Sequence, residues 1–472
     1  MMVTEVTAFL ALGSIALFVI GLKRLSRVRT ARSGNALMAA GMLLAVLITL
    51  VEQGLVDYRW IIGGLAIGAA VGVAIVLRAR ATQMPEIVAR FNGFGGAASA
   101  LVALSLFWRE VVEPSGMVTT ADRLGGTAAA TLVLSVLIGA TTFSGSILAE
   151  LKLRGTLSGM PRIPLRGALM AIAAVGGLAA GATGTFAVAD PTVATLLVLI
   201  LLAASLVAGI VLVLPIGGAD MPVVISLLNS LSGLAAAAAG FALGNNLLII
   251  AGTIVGAAGL ILTQIMCAAM NRSLVNVLIG GYGGDAGDDS DYTNIVSADA
   301  EEAAMVLESA QSVIIVPGYG LAAARAQNAV HEVAKALGAL GAEVRFAIHP
   351  VAGRMPGHMN VVLAEAEVPY EQLFEMSEIN QDFAQTDVVI VVGANDVVNP
   401  AANTDPGSPI AGMPILDVEK ARRVFVIKRS LSPGYAGIKN ALFERDHTVM
   451  LFGDAKAVLD ALAAELSATA KR

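Results

Sequence analysis

The stretch VIIVPGYGLAAA (313–324) follows some 270 residues of membrane-type sequence and decides how the chain is read. Val313 to Val316 is an apolar, β-branched run of strand length, and the alanines after Leu321 open a helix. Between them Gly318, Tyr319 and Gly320 form a tight turn, with Ala323 completing the G-x-G-x-x-G/A spacing of a dinucleotide-binding site. Glycine permits the turn and the close approach of a pyrophosphate, and a helix start offers free N–H groups and a positive dipole end. A plain tight turn is the competing reading. Fused to a multi-span half, the turn implies a nicotinamide cofactor coupled to a transmembrane process.

Outward from this stretch, strands are expected at 312–317, 343–348, 387–393, 423–428 and 448–452, with a short one near 414–417. Helices are expected at 298–310, 320–338, 357–366, 377–384 and 454–466. Val/Ile-rich runs separated by helices predict a parallel sheet covered on both faces, with ligands beyond the carboxyl ends of its strands. Those ends carry the candidate binding residues. The second strand runs into HPVAGRMPG (349–357), with Val351, Ala352, Gly353, Arg354, Met355 and Pro356. An NAD site would carry an acid there for the ribose 2′-hydroxyl; His349 and Arg354 in its stead tilt the reading to NADP. The third long strand ends in Gly393, Ala394, Asn395 and Asp396, where Asp396 reads as an acid at the cofactor edge or as an Asx-type turn. Lys428, Arg429 and Ser430 form a monophosphate clamp or a solvated surface pair. The loop SLSPGYAGIKN (430–440), with Gly434, Tyr435 and Ala436, is a candidate lid. Gly453, Asp454 and Ala455 make another strand-to-helix turn of phosphate type.

The chain has 472 residues, of which 56% are hydrophobic and 14% charged. Residues 1–280 hold 16 Lys/Arg and 10 Asp/Glu, whereas 281–472 hold 14 and 26, so a membrane half precedes an acidic soluble half. Neither half invites nucleic acid. The single cysteine, Cys267, leaves no disulfide framework, and no metal site is expected. About nine apolar runs are long enough to span a bilayer: 3–22, 34–51, 60–79, 86–108, 125–149, 165–186, 191–214, 222–243 and 247–270. The first reads as a span and not as a cleaved signal. Lys and Arg concentrate in the loops after the first, third and fifth runs, which predicts an external N-terminus and a cytoplasmic C-terminal domain.

Polar groups in the spans are few: Asn92, Ser144, Ser146, Glu150, Asn229, Asn246 and Gln264, with Asp220 in the turn GGADMP (217–222). Each is a candidate functional group or an interhelical hydrogen bond. Asp220 reads as a helix cap before Pro222 or as a proton-exchanging acid. All four histidines, His331, His349, His358 and His447, lie in the soluble half.

The chain resembles the beta subunit of proton-translocating NAD(P)+ transhydrogenase over essentially its full length. The resemblance is carried by PGYGLA, HPVAGRMPGHMNVVLAEA (349–366), VGANDVVNPAA (392–402), SPIAGMPIL (408–416), KRSLSPGYAG (428–437) and MLFGDAKA (450–457), with IGGADMPVVISLLNS (216–230) and MCAAMNRS (266–273) in the membrane half. It implies a membrane domain over 1–275 and a Rossmann-like NADP(H)-binding domain over 298–472, and the Gly/Asp-rich run GGYGGDAGDDSDY (280–292) reads as a flexible linker within 276–297. Lys428, Arg429 and Ser430 would hold the 2′-phosphate, the Gly318 turn, Arg354, Asn395 and Asp396 other parts of the cofactor, and Tyr435 the lid. NAD(H) would come on a separate alpha subunit, in a dimer of alpha–beta units within a bacterial inner membrane. Hydride would pass between the two nicotinamides while a proton crosses the spans, by way of Asn92, Ser146, Asp220, Asn229 and Gly259. Many relatives carry a membrane histidine where this chain has Asn92, which cannot titrate. With one dinucleotide fingerprint, the second nicotinamide must come from another chain, and direct hydride transfer needs apposition rather than a nucleophile. The rival reading is a nucleotide-gated channel or transporter with a C-terminal regulatory fold, but the spans hold no filter-like backbone motif.

Overall fold

A computed structural model describes residues 2–25, 28–52, 58–112, 117–157, 163–279, 292–434 and 436–470. Its first part is helical: α1 (Met2–Leu25), α2 (Val28–Glu52), α3 (Arg59–Arg78), α4 (Met84–Phe107), α5 (Gly126–Leu153), α6 (Arg166–Phe186, with a π-helical turn), α7 (Pro191–Val213), α8 (Met221–Leu243) and α9 (Asn246–Ala269). Among the described residues, α2 to α9 are eight helices long and apolar enough to cross a membrane. The expected run 3–22 lies in α1. The chain is a membrane protein. It divides into two compact units, one made of residues 1–151, 161–214 and 227–261, the other of 152–160, 215–226 and 262–472.

Small residues set the helix packing of the first unit, as expected in lipid, where close backbone approach replaces the hydrophobic drive. A Cβ on Gly96 of α4 would come 2.6 Å from the Gly139 carbonyl oxygen of α5. Buried hydroxyls tie helix to helix: Ser135 Oγ donates to the Ser99 carbonyl (3.1 Å), and Ser144 Oγ to that of Leu206 (2.8 Å).

The second unit contains a six-stranded, all-parallel sheet in the order β3-β2-β1-β4-β5-β6. The strands are β1 (Ser312–Pro317), β2 (Glu343–Ile348), β3 (Leu373–Glu375), β4 (Val388–Val392), β5 (Arg423–Lys428) and β6 (Thr448–Phe452). Side chains alternate between faces along a strand, and here both faces are covered. Val313, Ile315, Phe346, Ile390 and Ile427 join one core with α10 (Ala300–Leu307), α12 (Gln327–Ala339), α13 (His358–Glu365) and α14 (Ala455–Ala470). Ile314, Val316, Val389, Val391 and Val426 join a second core with Phe383, Leu416, Leu442 and Phe443. Two buried faces explain why these strands read as unbroken apolar runs. This is the Rossmann-like arrangement, and its strand order reverses direction between β1 and β4, where a crevice opens.

Four details differ from expectation. The helix expected over 377–384 is a four-residue helix, Met376–Ile379, followed by a 3-10 turn, Asp382–Gln385. The helix expected over 320–338 is two helices, α11 (Tyr319–Ala323) and α12, because Arg325 takes a left-handed φ of 53° between them. The strand expected near 414–417 is irregular chain outside the sheet: Asn380 Nδ2 donates to the Ile415 carbonyl (3.2 Å), Asp417 N–H to Asn380 Oδ1 (2.9 Å), and Leu416 N–H to the Val397 carbonyl (2.9 Å). The sixth strand is β3, a three-residue edge. Residues 292–297 run beside β6: Ser297 bridges Met450, and the Tyr292 hydroxyl accepts from the Asn440 N–H (2.9 Å).

Candidate functional site

A cavity of about 530 Å³ opens at the carboxyl edge of the sheet, where β1, β2, β4, β5 and β6 end. Its lining gathers the residues that the sequence placed at five separate strand ends. Gly318, Tyr319 and Gly320 come from the end of β1, and Val351, Ala352, Gly353 and Arg354 from the end of β2. Gly393, Ala394, Asn395 and Asp396 follow β4, Lys428, Arg429, Ser430 and Gly434 follow β5, and Gly453 and Ala455 follow β6. Ala324, Val397, Ile427 and Ser432 also line it and had not been singled out, and Pro433 joins them from the candidate lid. Ala323, Met355, Pro356, Ala436 and Asp454 are not part of the lining, and Tyr435 lies outside the described residues. Ala323 is exposed at the end of the one-turn helix α11, because the break at Arg325 removes the long helix that would have packed it.

The glycine turn lines the cavity and also packs on the loop after β4. The Gly318 N–H donates to the Val392 carbonyl (2.8 Å) and the Gly320 N–H to that of Gly393 (2.9 Å), so neither faces an anion. These bonds press the loop after β1 onto the loop after β4. A Cβ on Gly320 would lie 2.6 Å from Gly393 Cα. Gly393 itself sits at φ 63°, in the left-handed region. The glycines therefore build the floor of the cavity by backbone contact.

Positive charge comes from side chains instead. Lys428 Nζ stands 5.1 Å from the centre of the Phe443 ring and donates to the Ser432 carbonyl (2.8 Å). Ser430 and Ser432 hydroxyls lie 2.8 Å apart. The Arg354 guanidinium stacks 4.3 Å above the Tyr319 ring and also donates to the Leu153 carbonyl. Asp396 anchors the candidate lid: its Oδ2 accepts from the Ala436 N–H (3.1 Å), and a Cβ on Gly434 would collide with its carboxyl. Three cations and two hydroxyls around a concave, mostly apolar space suit a phosphorylated ligand with a flat aromatic part. The glycine floor leaves the room a bulky ligand needs, so a dinucleotide fits the residues present.

The candidates for a proton path fall into separate groups. Asn92 is buried on α4, and its neighbour Gly93 packs on Ser146 of α5, whose hydroxyl is fully buried without a hydrogen-bond partner among the described residues. Asn229 is half-buried on α8. Next to it, Ser230 donates to the Gly256 carbonyl (2.7 Å), and Gly259 packs on Ser230. Asp220 is fully buried in the second unit and takes Arg272 Nη1 on both oxygens (2.7 and 2.9 Å). Burial pushes its carboxyl up to about 6, against the opposing pull of Arg272. Arg272 lies within hydrogen-bond distance of both its oxygens, so the carboxylate form is the one seen. A second pair lies inside the first unit: Arg90 Nε of α4 donates to both carboxylate oxygens of Glu150 on α5, at 3.0 Å each, a pairing the sequence did not reveal although Glu150 was among its polar span residues. The two are 60 residues apart, and only their presence within apolar runs could have flagged them.

Residues 7–465 match the family model described as NAD(P) transhydrogenase beta subunit. A curated NAD(P) transhydrogenase subunit beta of Rhodospirillum rubrum is 47% identical over 446 residues, which is 93% of this chain and 94% of that protein. A second such sequence, from a designated strain of the same species, gives the same identity and coverage.

Proposed function

Since the chain belongs to the NAD(P) transhydrogenase beta subunit family, we propose that it binds NADP(H) in the cavity at the sheet edge and serves as the membrane subunit of a proton-translocating transhydrogenase. NAD(H) would be carried by an alpha subunit, and hydride transfer from NADH to NADP+ would be coupled to proton movement through the helical part. The proposed division is a membrane domain over 1–275, a linker over 276–297 and a nucleotide domain over 298–472. The excess of Lys and Arg in the loops after α1, α3 and α5 supports a cytoplasmic nucleotide domain; the membrane proposed is a bacterial inner membrane.

The observation that carries the reading is the run Lys428-Arg429-Ser430 at the end of β5, on a cavity at the switch point of a 3-2-1-4-5-6 sheet. Such a run suits a 2′-phosphate. The usual acid at the end of β2 is replaced by His349, which turns away to the Pro414 carbonyl. When bound, the nicotinamide accepts or releases the hydride. The chain's own residues bind and orient: Lys428, Arg429 and Ser430 hold the monophosphate, Arg354 supplies charge beside Tyr319, and the loop from Ser430 to Gly437, anchored on Asp396, excludes water. Asn92, Ser146, Asp220, Asn229 and Gly259 remain the proposed proton route.

The test is equilibrium binding to the full chain in detergent. NADP+ is expected to bind far more tightly than NAD+, and equal affinities would sink the 2′-phosphate site. Reconstituted with an alpha subunit in vesicles, the chain is expected to couple hydride transfer from NADPH to an NAD+ analogue with a pH change; transfer without one would remove the pump assignment.

A further inference from the structure

The loop Pro350–Gly357 carries Arg354 and part of the cavity wall, yet it has no regular structure to hold it. It is closed at each end by a histidine, and both are buried, His349 at 1% and His358 at 0% exposure. Fully buried imidazoles this close to a ligand cavity and not lining it call for a reason.

Each ring points a nitrogen at a loop amide. The Val351 N–H donates to His349 Nδ1 (3.2 Å), and the Arg354 N–H donates to His358 Nδ1 (3.1 Å). The tautomer of His349 follows from its other contact. Its Nε2 lies 2.8 Å from the Pro414 carbonyl, which can only accept, so Nε2 carries the proton and Nδ1 keeps the lone pair that Val351 needs. At the far end Gly353, at φ 110°, lies so close to His358 that a Cβ there would sit 2.8 Å from the histidine Cβ. Both contacts need a neutral ring with an acceptor at the same position.

We propose that His349 and His358 are positioning residues for the nucleotide site, acting as paired backbone-amide acceptors that fix the 350–357 loop and so aim Arg354. The binding half of this inference rests on the NADP(H) reading above; the loop-fixing half does not. Two readouts on the full chain in detergent separate them. Amide hydrogen exchange of the 349–358 segment reports the loop, and calorimetric titration with NADP+ reports the site. Asn keeps an acceptor where Nδ1 stood, whereas Leu removes it. His358→Leu is expected to speed exchange at Arg354 at least tenfold and to weaken NADP+ binding at least tenfold. His358→Asn is expected to stay within about threefold of the native chain on both. In an Arg354→Ala background, His358→Leu is expected to add less than threefold to the loss of NADP+ affinity, because the group it aims is gone. His349→Asn and His349→Leu form the second pair, read at Val351, should His358→Leu fail to fold. Unchanged exchange in the Leu variants, or equal losses in the Leu and Asn variants, would overturn the proposal. A full further loss in the Arg354→Ala background would reduce the histidines to packing. A native chain with a slow-exchanging loop and no affinity for NADP+ would sink the NADP(H) reading and leave the loop-fixing role standing.

Discussion

Replacing Gly393 with alanine puts a methyl group between the two loops that form the floor of the cavity. The new Cβ would lie 2.7 Å from the carbonyl carbon of Gly320 and 2.8 Å from the Leu321 nitrogen, both backbone atoms with no rotamer to yield. Gly393 also holds φ 63°, which costs an L-residue about 1–2 kcal/mol. Overpacking adds about 1–3 kcal/mol, so the total is about 2–5 kcal/mol. For a domain of this size each kcal/mol lowers Tm by about 2–4 °C, and the expected fall is on the order of 5–20 °C. Differential scanning calorimetry of the full chain in detergent reads it directly. Gly338→Ala is the matched control, because it lies in α12 with nothing within 4 Å of a new Cβ. It is expected to be neutral or to stabilise by up to about 1 kcal/mol. A Gly393→Ala transition within 1–2 °C of the native one (about half a kcal/mol) would refute the argument that backbone contact builds the floor.

Three further outcomes follow from the same geometry. Burial lowers His349 from 6.5 to about 4, so its neutral ring contributes stability that is complete above pH 6.5 and lost as pH falls towards 4. That is about 3 kcal/mol at 1.36 kcal/mol per unit; thermal unfolding from pH 7.5 to 4.5 should fall more steeply for the native chain than for His349→Asn, and parallel curves would contradict it. Arg429→Ala should weaken NADP+ binding on the order of tenfold, near the low end for a charged hydrogen bond because the side chain is exposed, while leaving NAD+ binding unchanged; an equal loss for both nucleotides would show that the side chain does not meet the 2′-phosphate. Gly96→Ala should destabilise the first unit by about 1–3 kcal/mol, because its Cβ meets the Gly139 carbonyl oxygen at 2.6 Å. The two tryptophans, Trp60 and Trp108, both lie in that unit, so their fluorescence on heating can follow it, and an unshifted transition would deny the close packing of α4 on α5.

Much of the fold was legible because burial on two faces leaves an unmistakable trace. β1, β4 and β5 are apolar at nearly every position, and the spans are long enough to need no periodicity. What stayed hidden depends on contacts distant in sequence or on single backbone angles. β3 is only Leu-Phe-Glu, too short to carry a pattern. The run Pro414–Asp417 has the composition of a strand, but its partners are the side chains of Asn380 and His349 and the carbonyl of Val397, not a neighbouring strand. Nothing in the residue type of Arg325 announces its left-handed φ. At the site, the strand ends were readable from glycines and charges. The role of Gly318 and Gly320 was not, because the atoms they meet belong to a loop 73 to 76 residues later.

The Arg90–Glu150 pair also bears on how the protein is made. α4 carries the cation and α5, which enters the bilayer later, carries the anion. A lone arginine in lipid costs up to about 3 kcal/mol at mid-bilayer, and that cost stands until the next long helix arrives to neutralise it. Helices α4 and α5 should therefore integrate as a pair. A nascent chain stopped after residue 112 is expected to slip out of the bilayer more often than one stopped after residue 153. A glycosylation tag placed just after α4 in both chains, where only integration of α4 carries it across the membrane, would measure the difference, and Arg90→Leu should abolish it.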